Sequence, residues 1–420
     1  MGPYLSVASV IIATAFTAAG NGMMSTFVPV RLDLEGASQD AVGLVVTAYA
    51  AGMLLGCLLS GHAIRRVGHI RAFATFAALG TISALLMSGW VAPTGWFGLR
   101  LLSGFCTTGI FIAAQAWLNE VTWSAHRGRV MALFYLAYTV SIGLGALIMR
   151  HVAADTTTPF LLLAGLYAAA VLPVALTRLE TPPPPEHIAV RLAQVWRISP
   201  VGLIGAFASG SLGMTMVGVG PMYGTAIGLN AADIALTIAA LQGGNLVIQW
   251  PLGWLSDRLD RRHVIAGAAA AVSLVSVAIL VTGSASLLAL VFLFGLWGGL
   301  AESIYAVSTA HANDRTAAGD YVVVSSTVLV MWATGSTLGP LLATAAMRGF
   351  GPAGIWLFFI AVSASFALFV AWRSRRRAGV AEREQEHFHT VAASPQIPEW
   401  SPYWHDGADD AGETATERTE

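Results

Sequence analysis

The chain has 420 residues, of which 56% are hydrophobic and 11% charged, with mean hydropathy +0.68 and a formal net charge of −1. Soluble domains carry roughly 25% charged residues, so this composition excludes an ordinary water-soluble globule. The balanced charge offers no cationic surface for a nucleic acid, and two cysteines cannot build a disulfide framework.

A helix that crosses a bilayer needs about 20 consecutive, mostly apolar residues. Twelve such runs follow one another, centred near residues 18, 53, 81, 107, 139, 168, 212, 243, 272, 298, 333 and 362. The first lacks a basic leader and a cleavage signal, so it is expected to be retained. Asn21 lies within it and Gln115 within the fourth, each open to packing or to solute contact. Cys57 and Cys106, in the second and fourth runs, read as packing residues.

Between runs two and three stands Gly61-His-Ala-Ile-Arg65-Arg66-Val-Gly68-His-Ile-Arg71. Between runs eight and nine stands Gly253-Trp-Leu-Ser-Asp257-Arg258-Leu-Asp260-Arg261-Arg262, which places Gly253 and Arg258 192 positions after Gly61 and Arg66. The same offset carries Pro29 onto Pro221, and a shift of 191 carries Gly104 onto Gly295. A hydrophobic unit is written twice in one direction. The expected division is 1–178 and 199–375 for two six-helix bundles, 179–198 for a linker containing Pro182-Pro183-Pro184-Pro185, and 376–420 for a disordered tail. The tail histidines His387, His389 and His405 read as solvated rather than metal-binding.

All 22 basic residues are Arg, and they crowd the loops on one side. The positive-inside rule puts that side, with both termini, in the cytoplasm.

Polar groups inside apolar spans mark the expected site. Gln242, Asn245 and Gln249 share one face of the eighth span by their i, i+3, i+7 spacing. Three amides facing lipid would be costly, so they look into a cavity or glue helices together. Glu302, with Tyr305 one turn on, lies inside the tenth span; an intramembrane acid either exchanges a proton, binds a cationic solute or pairs with a buried donor such as Tyr138. Arg100 opens the fourth span, where it snorkels to the interface or faces the interior. The charged loops read either as topological anchors or as latches: Glu120 against Arg66 or Arg71, and Asp257 against Arg258, Arg262 or the start of the eleventh span. Gly68 is expected to supply a tight turn.

These loops resemble the G-x-x-x-D-R-x-G-R-R signature of the major facilitator superfamily. Arg100-Leu-Leu-Ser-Gly104 is similar to the family's R-x-x-x-G motif, and the detailed pattern resembles uncharacterised bacterial permeases of that superfamily. Arg65 stands where the family usually has Asp, and Asp260 where it usually has Gly. Sugar-porter and peptide-transporter motifs are absent. The resemblance implies twelve helices in two pseudo-symmetric bundles, a cavity lined by helices 1, 4, 7 and 10, and a gating or coupling role for Arg100. It also implies a monomeric inner-membrane permease that moves a small organic solute by alternating access, coupled to protons and without a cofactor. Proton-driven efflux of amphipathic compounds is the rival reading. A membrane enzyme would need a clustered nucleophile or metal set, and His62, His69 and His126 are too dispersed for one.

Overall fold

In the computed structural model, residues 2–122, 124–176, 190–282, 286–316 and 320–376 are described, and apart from turns they are helical. Six long helices come first: α1 (Gly2–Leu34), α2 (Gln39–Val67), α3 (His69–Gly89), α4 (Pro93–Val121), α5 (Ser124–Ile148) and α6 (Thr158–Ala175). A short helix α7 (Leu192–Ile198) precedes six more: α8 (Pro200–Ala226), α9 (Ala231–Ser256), α10 (Arg261–Thr282), α11 (Leu287–Asn313), α12 (Tyr321–Phe350) and α13 (Gly354–Ser374). The seventh apolar run is therefore α8, the eighth α9 and the tenth α11.

Eleven stretches are long and apolar enough to cross a membrane; the last, Val323–Ser374, has 52 residues and holds both α12 and α13. Gly351, at φ +68, breaks it into two passes. Side chains such as Val247 (72% exposed) and Leu274 (70%) point outward from these helices, as a bilayer solvent allows and water would not.

Local signals set the helix ends. Ser38 accepts a hydrogen bond from the Ala41 N–H at 3.3 Å and caps α2, and Asn230 accepts from the Asp233 N–H at 2.9 Å and caps α9. Gly68, at φ +84, closes α2 and turns the chain directly into α3, the conformation expected of that glycine. Proline stands inside α1, α6, α8, α9 and α12, which continue through it.

The duplication is visible in the packing. In the first half α1 packs on α5, α2 on α4 and α3 on α6; in the second α8 packs on α12, α9 on α11 and α10 on α13. Even the crossings coincide. A Cβ on Gly104 would meet the Tyr49 carbonyl across α4 and α2, and a Cβ on Gly295 would lie 3.2 Å from the Ala240 carbonyl across α11 and α9. Each glycine and each carbonyl moves by the same 191 positions.

The expected linker holds a helix that its seven residues hide from any periodicity argument. Tertiary contact supplies its stability: Val195 is fully buried, the Arg191 N–H donates to Thr327 Oγ1 at 3.0 Å, and Gln194 Nε2 donates to Asp320 at 3.1 Å. The polyproline run and the acidic tail lie outside the described residues.

Candidate functional site

A cavity of about 980 Å³, a figure that includes any space open to solvent, lies between the two halves. Asn21, Arg100 and Tyr138 reach it from the first half, and Gln242, Asn245 and Glu302 from the second. Gln115, Gln249 and Tyr305 are not on its wall. Gln115 Nε2 donates to the Tyr135 hydroxyl at 2.6 Å and ties α4 to α5. Gln249 is buried one helical turn beyond Asn245. Tyr305 packs edge-on to Trp332, with ring centroids 6.3 Å apart, behind the wall that Trp332 itself forms.

Asn21 is positioned by two hydroxyls. Its Oδ1 accepts from Thr107 at 3.3 Å and from Tyr167 at 3.1 Å, and these hydroxyls stand 3.0 Å from each other. One knot thus joins α1, α4 and α6 and leaves Asn21 Nδ2 buried without a hydrogen-bond partner. Arg100 does not snorkel. It is 7% exposed, with its guanidinium 4.1 Å from the Tyr49 ring centre and its Nε unpartnered. The ring stabilises the cation without accepting from its N–H groups in the plane of the fork.

Across the cavity, Glu302 carries the only carboxylate of the described wall. Its Oε1 lies over Gly213 of α8, where a Cβ would come within 2.8 Å. None of the described ion pairs includes Glu302 or Arg100. The expected buried donor, Tyr138, lines the same cavity and packs edge-on to Phe111 at 4.9 Å. Asn245 Oδ1 has no hydrogen-bond partner either. Trp250, 69% exposed, faces out of the bundle and shapes no part of the cavity.

Sequence reasoning missed Tyr49, Met24, Met53 and Met214 on the wall. Only Tyr49 carried a signal, a polar aromatic within an otherwise apolar run. Methionines in an apolar helix carry none.

The charged loops hold several pairs among the described residues. Arg261, 1% exposed, bonds Asp314 at 2.7 Å and reaches Asp257 at 3.5 Å, joining the end of α9 to the end of α11. Arg262 instead closes on Asp260 at 2.6 Å, and Arg258 stacks on Trp254 at 3.7 Å. Asp260 lies outside the spans. Burial alone would raise its pKa, but the side-chain and backbone hydrogen bonds of Arg262, with the charges of Arg262 and His263, hold the carboxyl below its ordinary range. In the first loop, Gly61 is buried while Arg66 and Arg71 are exposed; the side chain of Glu120 lies outside the described residues. Gly253 is buried as Gly61 is.

At the end of the bundle opposite these Arg-rich loops, Arg348 of α12 bonds Asp40 of α2 at 3.0 Å. The halves also meet along α2 and α12, α5 and α9, and α1 and α8.

The family model for the Major Facilitator Superfamily matches residues 10–241 and 201–408. The chain is 28% identical over 353 residues to the uncharacterised MFS-type transporter YcaD of Escherichia coli O7:K1, which spans 83% of this chain and 90% of that protein. Among solved structures it is similar to the nucleoside transporter NupG, with TM-score 0.71, 13% identity and coverage of 89% and 99% of the two chains. It is also similar to a bacterial homologue of the human lysosomal transporter Spinster in an inward-facing, occupied conformation, with TM-score 0.72, 12% identity and coverage of 90% and 97%. At such identities these likenesses concern the fold.

Proposed function

This chain belongs to the major facilitator superfamily and is a multi-pass membrane transporter, not an enzyme; from that premise we propose that it moves a small organic solute across the bacterial inner membrane by alternating access, coupled to protons. The Arg-rich loops and both termini lie in the cytoplasm, following the placement of Arg in short loops. The halves are joined at the outer end by Asp40 and Arg348, so the conformation described is closed outward. It works as a monomer, the cavity being built within one chain.

One observation carries the coupling: an acid without an ion-pair partner, Glu302, faces a cavity between two bundles that must rock past it. A carboxylate held in a low-dielectric site is costly to carry across, and a proton removes that cost. The charged clusters at the ends of α9, α10 and α11 stiffen the inner end of the second bundle, and the Arg66–Arg71 loop is their counterpart in the first.

Purified chain reconstituted in liposomes tests this reading. A ligand found by thermal stabilisation should accumulate when a pH gradient is imposed. Glu302→Gln should abolish gradient-driven accumulation and retain solute exchange. Unchanged accumulation in that variant would remove Glu302 from the coupling; loss of both activities would mark it as a solute ligand instead.

A further inference from the structure

We propose that the solute is an organic anion, a carboxylate on an apolar body, whose charged group is held by Arg100 and Asn21 while Glu302 is reserved for the proton. The inference rests on the coupled-transport reading above and names the substrate class of that same cavity.

The described cavity wall presents one cation and one acid on opposite halves, and none of the described ion pairs includes either. Their chemistry is not symmetric. A carboxylate can shed its charge by taking a proton, whereas a guanidinium stays charged at any pH a cell meets. A charge sequestered from water is costly unless it is compensated. Glu302 can therefore be neutralised by a proton, but Arg100 only by an anion.

The donors on the first half converge accordingly. Arg100 Nε and Asn21 Nδ2 are both buried without hydrogen-bond acceptors. Tyr167, which holds Asn21 by its hydroxyl, also lies within electrostatic reach of Arg100, so the two donors belong to one cluster. Tyr49 holds the guanidinium carbon 4.1 Å from its ring centre, a contact that uses none of the N–H donors. A carboxylate has two oxygens that accept from such a fork. Met24, Val28, Val46, Met53 and Trp332 form an apolar part of the wall, which suits an apolar body, while Tyr138, Gln242 and Asn245 supply polar groups elsewhere on it.

The charges also explain why the two ligands travel together. Empty, the cavity holds Arg100 and Glu302 as plus and minus. With an anion on Arg100 and a proton on a Glu302 oxygen it is again neutral. With one ligand alone it carries a net charge, which the bilayer penalises when the halves rock.

Matched probes decide the matter: benzoate, benzamide and benzylamine, with carboxylates from acetate to naphthoate to bracket size, each added to the purified full chain while its melting is followed. Carboxylates should raise the melting temperature of the wild type and of Glu302→Gln, and of neither form should benzamide or benzylamine do so. Arg100→Gln should weaken carboxylate binding at least about tenfold, the loss of a charge-assisted pair. Arg100→Lys, which retains the cation, should keep part of it and shows that the position tolerates change. Stabilisation by amines or amides, an undiminished benzoate effect in Arg100→Gln, or no effect from any carboxylate would each overturn the anion site. A carboxylate that binds through Arg100 yet crosses liposomes without regard to pH would leave the anion site standing and sink the proton coupling alone.

Discussion

Asp260 occupies a position where the superfamily signature has glycine, and its side chain accounts for the difference. It accepts from the Arg262 backbone N–H at 3.0 Å, which caps α10, and from the Arg262 guanidinium at 2.6 Å. A glycine would turn the chain but could do neither. Because the folded carboxyl is held below its ordinary range, its stabilisation is complete above the unfolded value, about 3.9, and is lost as pH falls through the lower folded value. The melting temperature of the wild type should therefore exceed that of Asp260→Asn by a constant margin from neutral pH down to about pH 4, and the margin should shrink below it. The pair is partly exposed, so the margin corresponds to about 1 kcal/mol or less. A margin that grew on acidification would contradict the assignment. The neighbouring Arg261 shows what the loop motif alone conceals. Its i, i+4 spacing from Asp257 was visible, but its main partner, Asp314, is 53 residues away.

At the scale of elements, the duplicated crossing of α2 with α4 and of α9 with α11 separates what repetition preserves from what it relaxes. Both crossings use glycines against carbonyls: at Gly104 a methyl group would strike backbone, whereas in the second crossing the tight approach falls on Gly244, whose Cβ would meet the Gly295 carbonyl, and Gly295 itself has more room. Gly104→Ala should destabilise by about 1–3 kcal/mol, the usual cost of overpacking. Gly295→Ala, with 3.2 Å of room, should cost less. Equal melting temperatures for the two variants in detergent would show that the crossings are interchangeable. Sequence could align the glycines but could not rank them, since the separation of two helices is set by every side chain along the seam. The polar helix α9 shows the same limit. Its three amides share a face by spacing alone, yet only Gln242 and Asn245 reach the cavity; Gln249 lies a turn further on, where the helix has passed the cavity wall.

For the whole molecule, the ion pair between Asp40 and Arg348 joins the bundles at the end away from the Arg-rich loops. Both side chains are more than half exposed, so the bond adds little to folding. It can still bias which end of the transporter is closed, because a small differential energy suffices to shift two conformations of similar stability. Spin labels placed at residues 39 and 349, beside the pair, should report one short distance in the conformation described, and a second, longer one when a ligand and a pH gradient are supplied. A single distance under every condition would contradict alternating access through this end.

The amino-acid sequence alone determined the membrane class, the twelve passes, the directional duplication and the family, because each of these follows from hydropathy, spacing and motif along the chain. It also singled out Arg100 and Glu302, since an ionised side chain within an apolar span is conspicuous whatever surrounds it. The tertiary structure alone decided that the two face one cavity, that Tyr49 carries the guanidinium, that Gln115 is helix glue, and that Arg261 bridges α10 to the end of α11. The reason is geometric. A sequence fixes the angle of a side chain about its own helix, but which neighbour lies at that angle depends on how helices far apart in the chain cross.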